Sequence, residues 1–77
     1  MAKKLVRMSM KLLRISLFLT QEEMAKNMGY CVTQYLRVEN AERDGTLKFW
    51  RTYQKTFAIP DADMWRYMND IQEEPKK

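Results

Sequence analysis

Few side chains in this sequence could carry catalysis, and its polar chemistry lies mainly in hydrogen-bond donors. The 77 residues include no histidine and a single cysteine, Cys31. We therefore expect no disulfide within the chain, no Cys/His zinc site and no histidine-activated nucleophile. Ser9 and Ser16 are the only serines, and the acidic pairs Glu22–Glu23 and Asp61–Asp63 begin predicted helices, where the helix dipole favours them. The sequence predicts no enzyme, no metal site and no cofactor.

The charged residues indicate which class of molecule the protein could bind. Fourteen Lys and Arg residues against ten Asp and Glu residues give a formal net charge of +4. Residues 1–60 hold 11 basic and 5 acidic side chains, whereas residues 61–77 hold 3 basic and 5 acidic ones. A small basic body of this kind suits a polyanion, with nucleic acid first and an anionic membrane second. Charge alone is equally consistent with a role in solubility.

Helical periodicity runs through the chain, and the helix boundaries have clear signals. Thr20 and Glu23 form a capping box, Gly29 can end the helix that follows, Thr46 can cap another helix and Pro60 stops it. No segment alternates with period two for long enough to indicate a strand. We therefore predict a single all-α domain over residues 1–77, with helices at about residues 3–18, 21–28, 32–40, 46–57 and 61–72.

The first predicted helix is apolar on two sides. One stripe contains Val6, Met10, Leu13 and Leu17, and the stripe nearly opposite contains Leu5, Met8, Leu12, Ile15 and Leu19. A helix of this kind either lies between other elements of the domain or uses one face for a partner, and within one small domain we favour the first. The basic residues Lys3, Lys4, Arg7 and Lys11 could form a face that follows phosphates, or a solvated side of this helix.

The stretch from Thr20 to Ala41 has the spacing of a helix-turn-helix, in which the second helix can enter a major groove. Its residues Thr20–Gly29 read TQEEMAKNMG and are followed by Tyr35, Val38 and Glu39. This pattern resembles the lambda-repressor-like (Cro/CI, or XRE) helix-turn-helix family. The match is ungapped from about Arg14 to Ala41 and continues loosely through the apolar positions of the last two helices. The resemblance implies a five-helix DNA-binding domain, typical of small phage or bacterial regulators.

The resemblance also implies roles for particular residues. Gln21 matches a residue that bonds a DNA phosphate. Val32, Thr33 and Arg37 match positions that face base edges, and Arg37 can bond guanine O6 and N7 together. The remaining DNA-binding candidates, which meet the DNA backbone or the edge of the groove, are Gln34, Asn40, Arg43 and Lys48. Arg14 and Glu39 match an ion pair that fixes how the first helix meets the third.

The sequence departs from the family at several positions. Phe18 and Ala41 stand where relatives often have glycine, Cys31 replaces a capping Ser or Thr, and Val32 replaces a glutamine. Tyr35 replaces a smaller aliphatic residue, so its hydroxyl needs a partner or an exit to solvent.

We therefore expect a sequence-specific transcriptional regulator that binds double-stranded DNA as a homodimer. Helix five could form the dimer face or complete the core of the monomer; its apolar residues are Met64, Trp65, Met68 and Ile71. The alternative is a protein that binds a cognate repressor and blocks its DNA surface, as an antirepressor does. Its surface would be apolar residues that we expect to be partly exposed: Phe18, Tyr30, Val32 and Phe49. No apolar run approaches the roughly 18 residues that cross a bilayer, and one unpaired thiol fits the cytoplasm.

Overall fold

The computed structural model describes residues 4–74, which form five helices and a two-stranded antiparallel sheet. In chain order these elements are β1 (Leu5–Arg7), α1 (Met8–Ser16), α2 (Gln21–Met28), α3 (Val32–Glu39), α4 (Leu47–Phe57), α5 (Asp61–Asn69) and β2 (Ile71–Glu73). The chain is therefore mostly helical, as predicted. Within residues 4–74, no helix is long and apolar enough to pass through a bilayer.

The prediction of an entirely helical chain was wrong at both ends. Strand β1 pairs with β2 in the register Leu5↔Glu73, Val6↔Gln72 and Arg7↔Ile71, where the sequence predicted the first and last turns of long helices. Two backbone hydrogen bonds flank this ladder, from Met8 N–H to Asp70 O at 2.7 Å and from Glu74 N–H to Lys4 O at 2.8 Å. Strands of three residues are too short to show a period of two, so they left no periodic signal in the sequence.

The capping signals set the inner helix boundaries. At the start of α2, Thr20 N–H donates to Glu23 Oε1 at 2.9 Å and Glu23 N–H donates to Thr20 Oγ1 at 3.1 Å. Gly29 ends α2 in the left-handed conformation, with φ 77°. Thr46 Oγ1 accepts from Phe49 N–H at 3.0 Å at the start of α4. These local predictions are confirmed. They could be made from the sequence because each depends on residues within about one helical turn.

The core lies where α2, α3 and α4 meet one side of α1. Its buried members are Met10, Met24, Ala25, Met28, Tyr35, Val38, Phe49, Trp50, Tyr53 and Ile59. Phe49, which we expected to be partly exposed, is buried between the rings of Tyr30 and Trp50, each 5.3 Å away.

Only one side of α1 is covered, so the expectation that both its stripes would be buried was wrong. Met10 is fully buried, but Leu12 is 56% exposed and Ile15 is 50% exposed. Helix α1 contacts β1, α3 and α5, and no other element among residues 4–74 covers the side that carries Leu12 and Ile15.

Within residues 4–74, three helices are followed, one or two residues after their last residue, by a residue that has positive φ but is not glycine. Phe18 (φ 56°), Ala41 (φ 58°) and Ala58 (φ 52°) follow α1, α3 and α4. An L-residue pays about 1–2 kcal/mol in this region. Phe18 and Ala41 stand where the lambda-repressor-like family, which the sequence resembles, often has glycine. Both residues adopt the left-handed backbone conformation that glycine favours, although neither is glycine.

Arg7 is buried in β1, which overturns its assignment to a basic surface. Its guanidinium donates to three carbonyl oxygens: Met68 O at 2.9 Å, Val38 O at 2.6 Å and Arg43 O at 2.8 Å. It also lies 5.6 Å from the centroid of the Trp50 ring. Burial lowers the pKa of Arg7 from its ordinary value, and the negative charge of Asp44 opposes that shift. Arg7 therefore joins β1 to α5, to the end of α3 and to the loop after it.

The lysines of the expected basic face pair with the acidic C-terminal segment. Lys11 Nζ lies 2.8 Å from Glu74 Oε2 and Lys4 Nζ lies 3.7 Å from Glu74 Oε1. Lys3 lies outside the described residues. Because Arg7 is buried and two lysines are paired, this end of the molecule does not form the open cationic face that the sequence suggested.

Candidate functional site

The site is built on α2, a tight turn and α3. Gly29 N–H donates to Lys26 O at 3.1 Å and Tyr30 N–H donates to Ala25 O at 2.9 Å, so the chain turns at once and α3 begins at Val32. Ala25 is buried where the two helices pack against each other. A larger side chain at that position would separate α2 from α3.

Helix α3 has a buried side and an open side. Tyr35, Val38 and Glu39 are buried, whereas Thr33, Gln34 and Arg37 are exposed. These are three of the residues to which the sequence assigned DNA contacts. Val32 is half-buried and packs against the core, so only part of its side chain is accessible.

A cleft of about 550 Å³ lies between α3, the loop after it and the first turn of α4. Its walls include Thr33, Gln34, Arg37 and Arg43 of the predicted DNA-binding set, together with Asp44. Gln21, Val32, Asn40 and Lys48 do not line it. Of these four residues, Lys48 is exposed near the start of α4, and Asn40 is half-buried at the C-terminal cap of α3.

The loop after α3 is folded back by backbone hydrogen bonds. Arg37 O accepts from Glu42 N–H at 2.8 Å and from Arg43 N–H at 3.2 Å, which places Arg37 and Arg43 on the same cleft. Gly45 has φ 80°, and a Cβ there would lie 2.8 Å from the indole nitrogen of Trp50. Trp50 Nε1 donates in turn to Asp44 O at 2.9 Å, so this bond ties the loop to α4.

At the start of α3, the side chain of Gln34 bonds back to Cys31, the residue at the N-terminal cap. Gln34 Oε1 accepts from Cys31 N–H at 3.3 Å and from Cys31 Sγ at 3.5 Å. Cys31 is exposed. The NH₂ end of the Gln34 amide can still donate, since this side chain is exposed and has two N–H groups.

Glu39 lies at the centre of a buried hydrogen-bond network. Arg14 Nε donates to Glu39 Oε1 at 3.1 Å, so the predicted ion pair is present. Tyr35 OH donates to the same oxygen at 2.7 Å, and Gln21 Nε2 donates to Glu39 Oε2 at 2.7 Å. Burial raises the pKa of Tyr35, and the negative charge of Glu39 adds to that rise. The network joins α1, α2 and α3 through one carboxylate that is 1% exposed.

Sequence reasoning missed two members of this network. It placed Gln21 against DNA, although one N–H of its amide bonds Glu39, and it left the Tyr35 hydroxyl without a named partner. The spacing of Tyr35 and Glu39 is i and i+4, which puts the two side chains on one helix face and could have suggested their contact.

Among residues 4–74, no group of three or more Cys, His, Asp or Glu side chains is arranged to hold a metal ion. Comparisons of the chain with protein-family models, with curated proteins and with solved structures gave no match.

Proposed function

We propose that this chain is a lambda-repressor-like regulator of transcription that recognises specific DNA sequences as a homodimer, with α3 in the major groove. The observation that carries this proposal is the open side of α3. Thr33, Gln34 and Arg37 are exposed on a short helix whose opposite side is buried. That helix directly follows α2 and a tight turn, which is the arrangement that lets a second helix enter the groove.

Each exposed group has a role in this proposal. Arg37 reads guanine because a guanidinium can donate to O6 and N7 together. Thr33 and Gln34 bond bases or phosphates, and the accessible part of Val32 contacts a thymine methyl. Contacts to the DNA backbone come from the remaining candidates, Asn40, Arg43 and Lys48.

Gln21 keeps a role on DNA, although its amide is bonded to Glu39. A glutamine NH₂ group has two N–H donors, and one of them is used by Glu39 Oε2. We assign the other N–H to a phosphate at the N-terminus of α2, where the helix dipole favours an anion. Glu39 would thus hold the amide of Gln21 in one orientation.

The test is selection from a pool of random duplexes, followed by fluorescence anisotropy on the selected duplex at several salt concentrations. The wild-type chain is expected to give a consensus sequence and an affinity that falls steeply with salt, because neutralised phosphates release counterions. Arg37→Ala is expected to cost about 1–3 kcal/mol of binding and to relax selection at one position per half-site.

Lys55→Ala is the matched control, since it removes one positive charge from an exposed residue in the last turn of α4. It should leave the consensus unchanged. Failure to obtain any consensus, or equal losses in the two variants, would contradict readout by α3.

The second candidate is a protein that binds a repressor and covers its DNA surface. The exposure of Phe18 favours it, because an apolar aromatic side chain in water suits a protein partner. This alternative predicts weak DNA binding without sequence preference and a stable complex with a repressor from the same host. That complex should be lost when Phe18, Tyr30 or Val32 is changed to a charged residue.

A further inference from the structure

The Tyr35 hydroxyl is a fully buried donor on the inner side of the helix-turn-helix. The residue is 0% exposed, and its hydroxyl donates to Oε1 of Glu39, four residues further along α3, at 2.7 Å. Burial raises the pKa of Tyr35, and the negative charge of Glu39 adds to that rise. The hydroxyl therefore keeps its proton and acts on the orientation of the Glu39 carboxylate.

The two oxygens of Glu39 have different partners. Oε1 accepts from the Tyr35 hydroxyl at 2.7 Å and from Arg14 Nε at 3.1 Å. Oε2 accepts from Gln21 Nε2 at 2.7 Å. Arg14 also donates through Nη1 to Leu19 O at 3.3 Å, so its guanidinium is shared between the carboxylate and the link from α1 to α2. Two donors thus hold Oε1, which leaves Oε2 to Gln21.

Loss of the Tyr35 hydroxyl is expected to change this arrangement. A guanidinium and a carboxylate form a strong contact through two parallel N–H···O bonds. With Arg14 alone on Oε1, the carboxylate of Glu39 can turn both oxygens towards that guanidinium, which draws Oε2 away from Gln21. The hydrogen bond from Tyr35 opposes this rotation, because it holds Oε1 to a ring that is packed in the core.

The orientation of the Gln21 amide matters because its two ends differ. The NH₂ group donates and the oxygen accepts. A carboxylate only accepts, so the bond to Glu39 Oε2 turns the NH₂ end of the amide towards Glu39. In the proposed function, the second N–H of this group bonds a DNA phosphate. An amide turned the other way would present its oxygen, which a phosphate repels.

We propose that Tyr35 is a positioning residue for DNA binding: its hydroxyl orients Glu39 so that Gln21 presents an N–H group to a DNA phosphate. This inference rests on the proposed function and adds to it a residue of the core that does not itself touch DNA. The buried side of α3 thus contributes to binding of the DNA backbone, whereas the exposed Thr33 and Arg37 act on the DNA directly.

Nuclear magnetic resonance of the side-chain amides tests the first step of this proposal without DNA. In the wild-type chain, one NH₂ proton of Gln21 should be shifted downfield and exchange slowly with water, because it bonds a buried carboxylate. Tyr35→Phe, which removes only the hydroxyl, should move both properties towards those of an exposed glutamine. Gln54 is the internal reference, since its amide donates to Ile59 O at 3.0 Å, and its signals should be unchanged.

A double-mutant cycle on the selected duplex tests the second step. Tyr35→Phe is expected to weaken binding about fivefold, as the loss of one hydrogen bond does. In a chain that already carries Gln21→Ala, the same change should have no further effect on affinity, because the contact through which Tyr35 acts is gone. Tyr67→Phe is the matched control, since it removes the hydroxyl of a half-buried tyrosine of α5. It should leave the affinity unchanged.

The selected consensus and the salt dependence separate positioning from a general loss of structure. Tyr35→Phe should leave both as they are in the wild-type chain. The contact of Gln21 is to a phosphate and not to a base, and glutamine carries no charge that would displace counterions. Circular dichroism of the free variant should keep its helical spectrum.

Three results would overturn the proposal. Unchanged amide signals of Gln21 in Tyr35→Phe would mean that the hydroxyl does not orient the amide. An affinity equal to that of the wild-type chain, or losses that add in the double variant, would mean that Tyr35 does not act on DNA binding through Gln21. A wild-type chain that selects no duplex overturns the proposed function together with this inference, whereas the first two results leave DNA recognition by α3 intact.

Discussion

The side-chain amide of Gln21, in the first turn of α2, donates to Oε2 of the buried Glu39 at the end of α3, at 2.7 Å. This bond ties the helix end that we propose for phosphate binding to the helix that we propose for base recognition. Because Arg14 also bonds Glu39, the same carboxylate fixes both helices against α1. One residue that does not face solvent therefore contributes to the orientation of both α2 and α3.

Replacement of Glu39 by alanine is expected to lower the free energy of unfolding by about 3–5 kcal/mol. The change leaves the largely buried guanidinium of Arg14 without its partner, and it removes the acceptor of Tyr35 and Gln21. Loss of one member of a buried ion pair typically costs this much. Urea denaturation followed by circular dichroism measures it.

Glu42→Ala is the control for this change, since Glu42 is an exposed residue of the loop after α3. It should alter the free energy of unfolding by no more than about 0.5 kcal/mol. Similar values for Glu39→Ala and Glu42→Ala would mean that the network does not hold the helices together.

Arg7→Met is expected to lower the free energy of unfolding by at least about 3 kcal/mol, since it removes a charged donor from three carbonyl oxygens. Val38 O would keep only its hydrogen bond from Ala41 N–H at 3.1 Å. Methionine keeps an unbranched apolar stem, so the loss would reflect the guanidinium and not its packing alone. Denaturant titration measures the free energy of unfolding, and amide hydrogen exchange should show that β1 and β2 open faster in the variant. Arg51→Met is the control, because Arg51 is an exposed arginine of α4. It should change the free energy of unfolding by less than about 0.5 kcal/mol. Equal stability of the two variants would contradict the role of Arg7.

The contrast between Thr20 and Arg7 explains which parts of the fold could be predicted. Thr20, Glu23 and Gly29 act on residues within one turn, so their types alone set the limits of α2. Arg7 acts on Val38 and Met68, which lie 31 and 61 positions away. Nothing in the local pattern around Arg7 identifies those carbonyl groups, and the same holds for the pairing of β1 with β2.

The candidate site follows the same division. The open side of α3 could be predicted, because helical spacing separates Thr33 and Arg37 from the buried Tyr35 and Val38. The cleft could not be predicted, because it depends on how the loop after α3 folds back onto Arg37 O. The sequence favoured burial of both sides of α1 over an uncovered side, since an apolar stripe in a sequence does not reveal whether another element covers it.

The free energy of unfolding is expected to fall as pH drops below about 5, in part because Asp70 and Glu74, on either side of β2, become protonated. Hydrogen bonds from Gln72 and Ser9 hold the pKa of Asp70 below its ordinary value, and the hydrogen bond from Lys11 does the same for Glu74. A carboxyl whose pKa is lowered by folding stabilises the fold above its unfolded pKa. That contribution is lost as pH falls through its folded pKa.

Melting temperatures between about pH 6 and pH 3 test this expectation. The double variant Asp70→Asn/Glu74→Gln should show a smaller decline than the wild-type chain over that range, because it lacks both carboxyl groups. Amide exchange of Val6 and Gln72 should quicken with acid in the wild-type chain. An identical decline in both proteins would assign the acid sensitivity to other groups.

Ala58→Gly is expected to stabilise the protein by about 0.5–1 kcal/mol. Ala58 is exposed and follows α4 with φ 52°, so glycine removes the cost of holding an L-residue in the left-handed region. Part of that gain is offset because glycine has more freedom in the unfolded chain. Thermal and urea denaturation measure the difference, with Ala62→Gly as the control, since Ala62 is exposed in the first turn of α5. Glycine at that right-handed position should lower stability by up to about 1 kcal/mol. If both variants were destabilised equally, the residue after α4 would not be strained in solution.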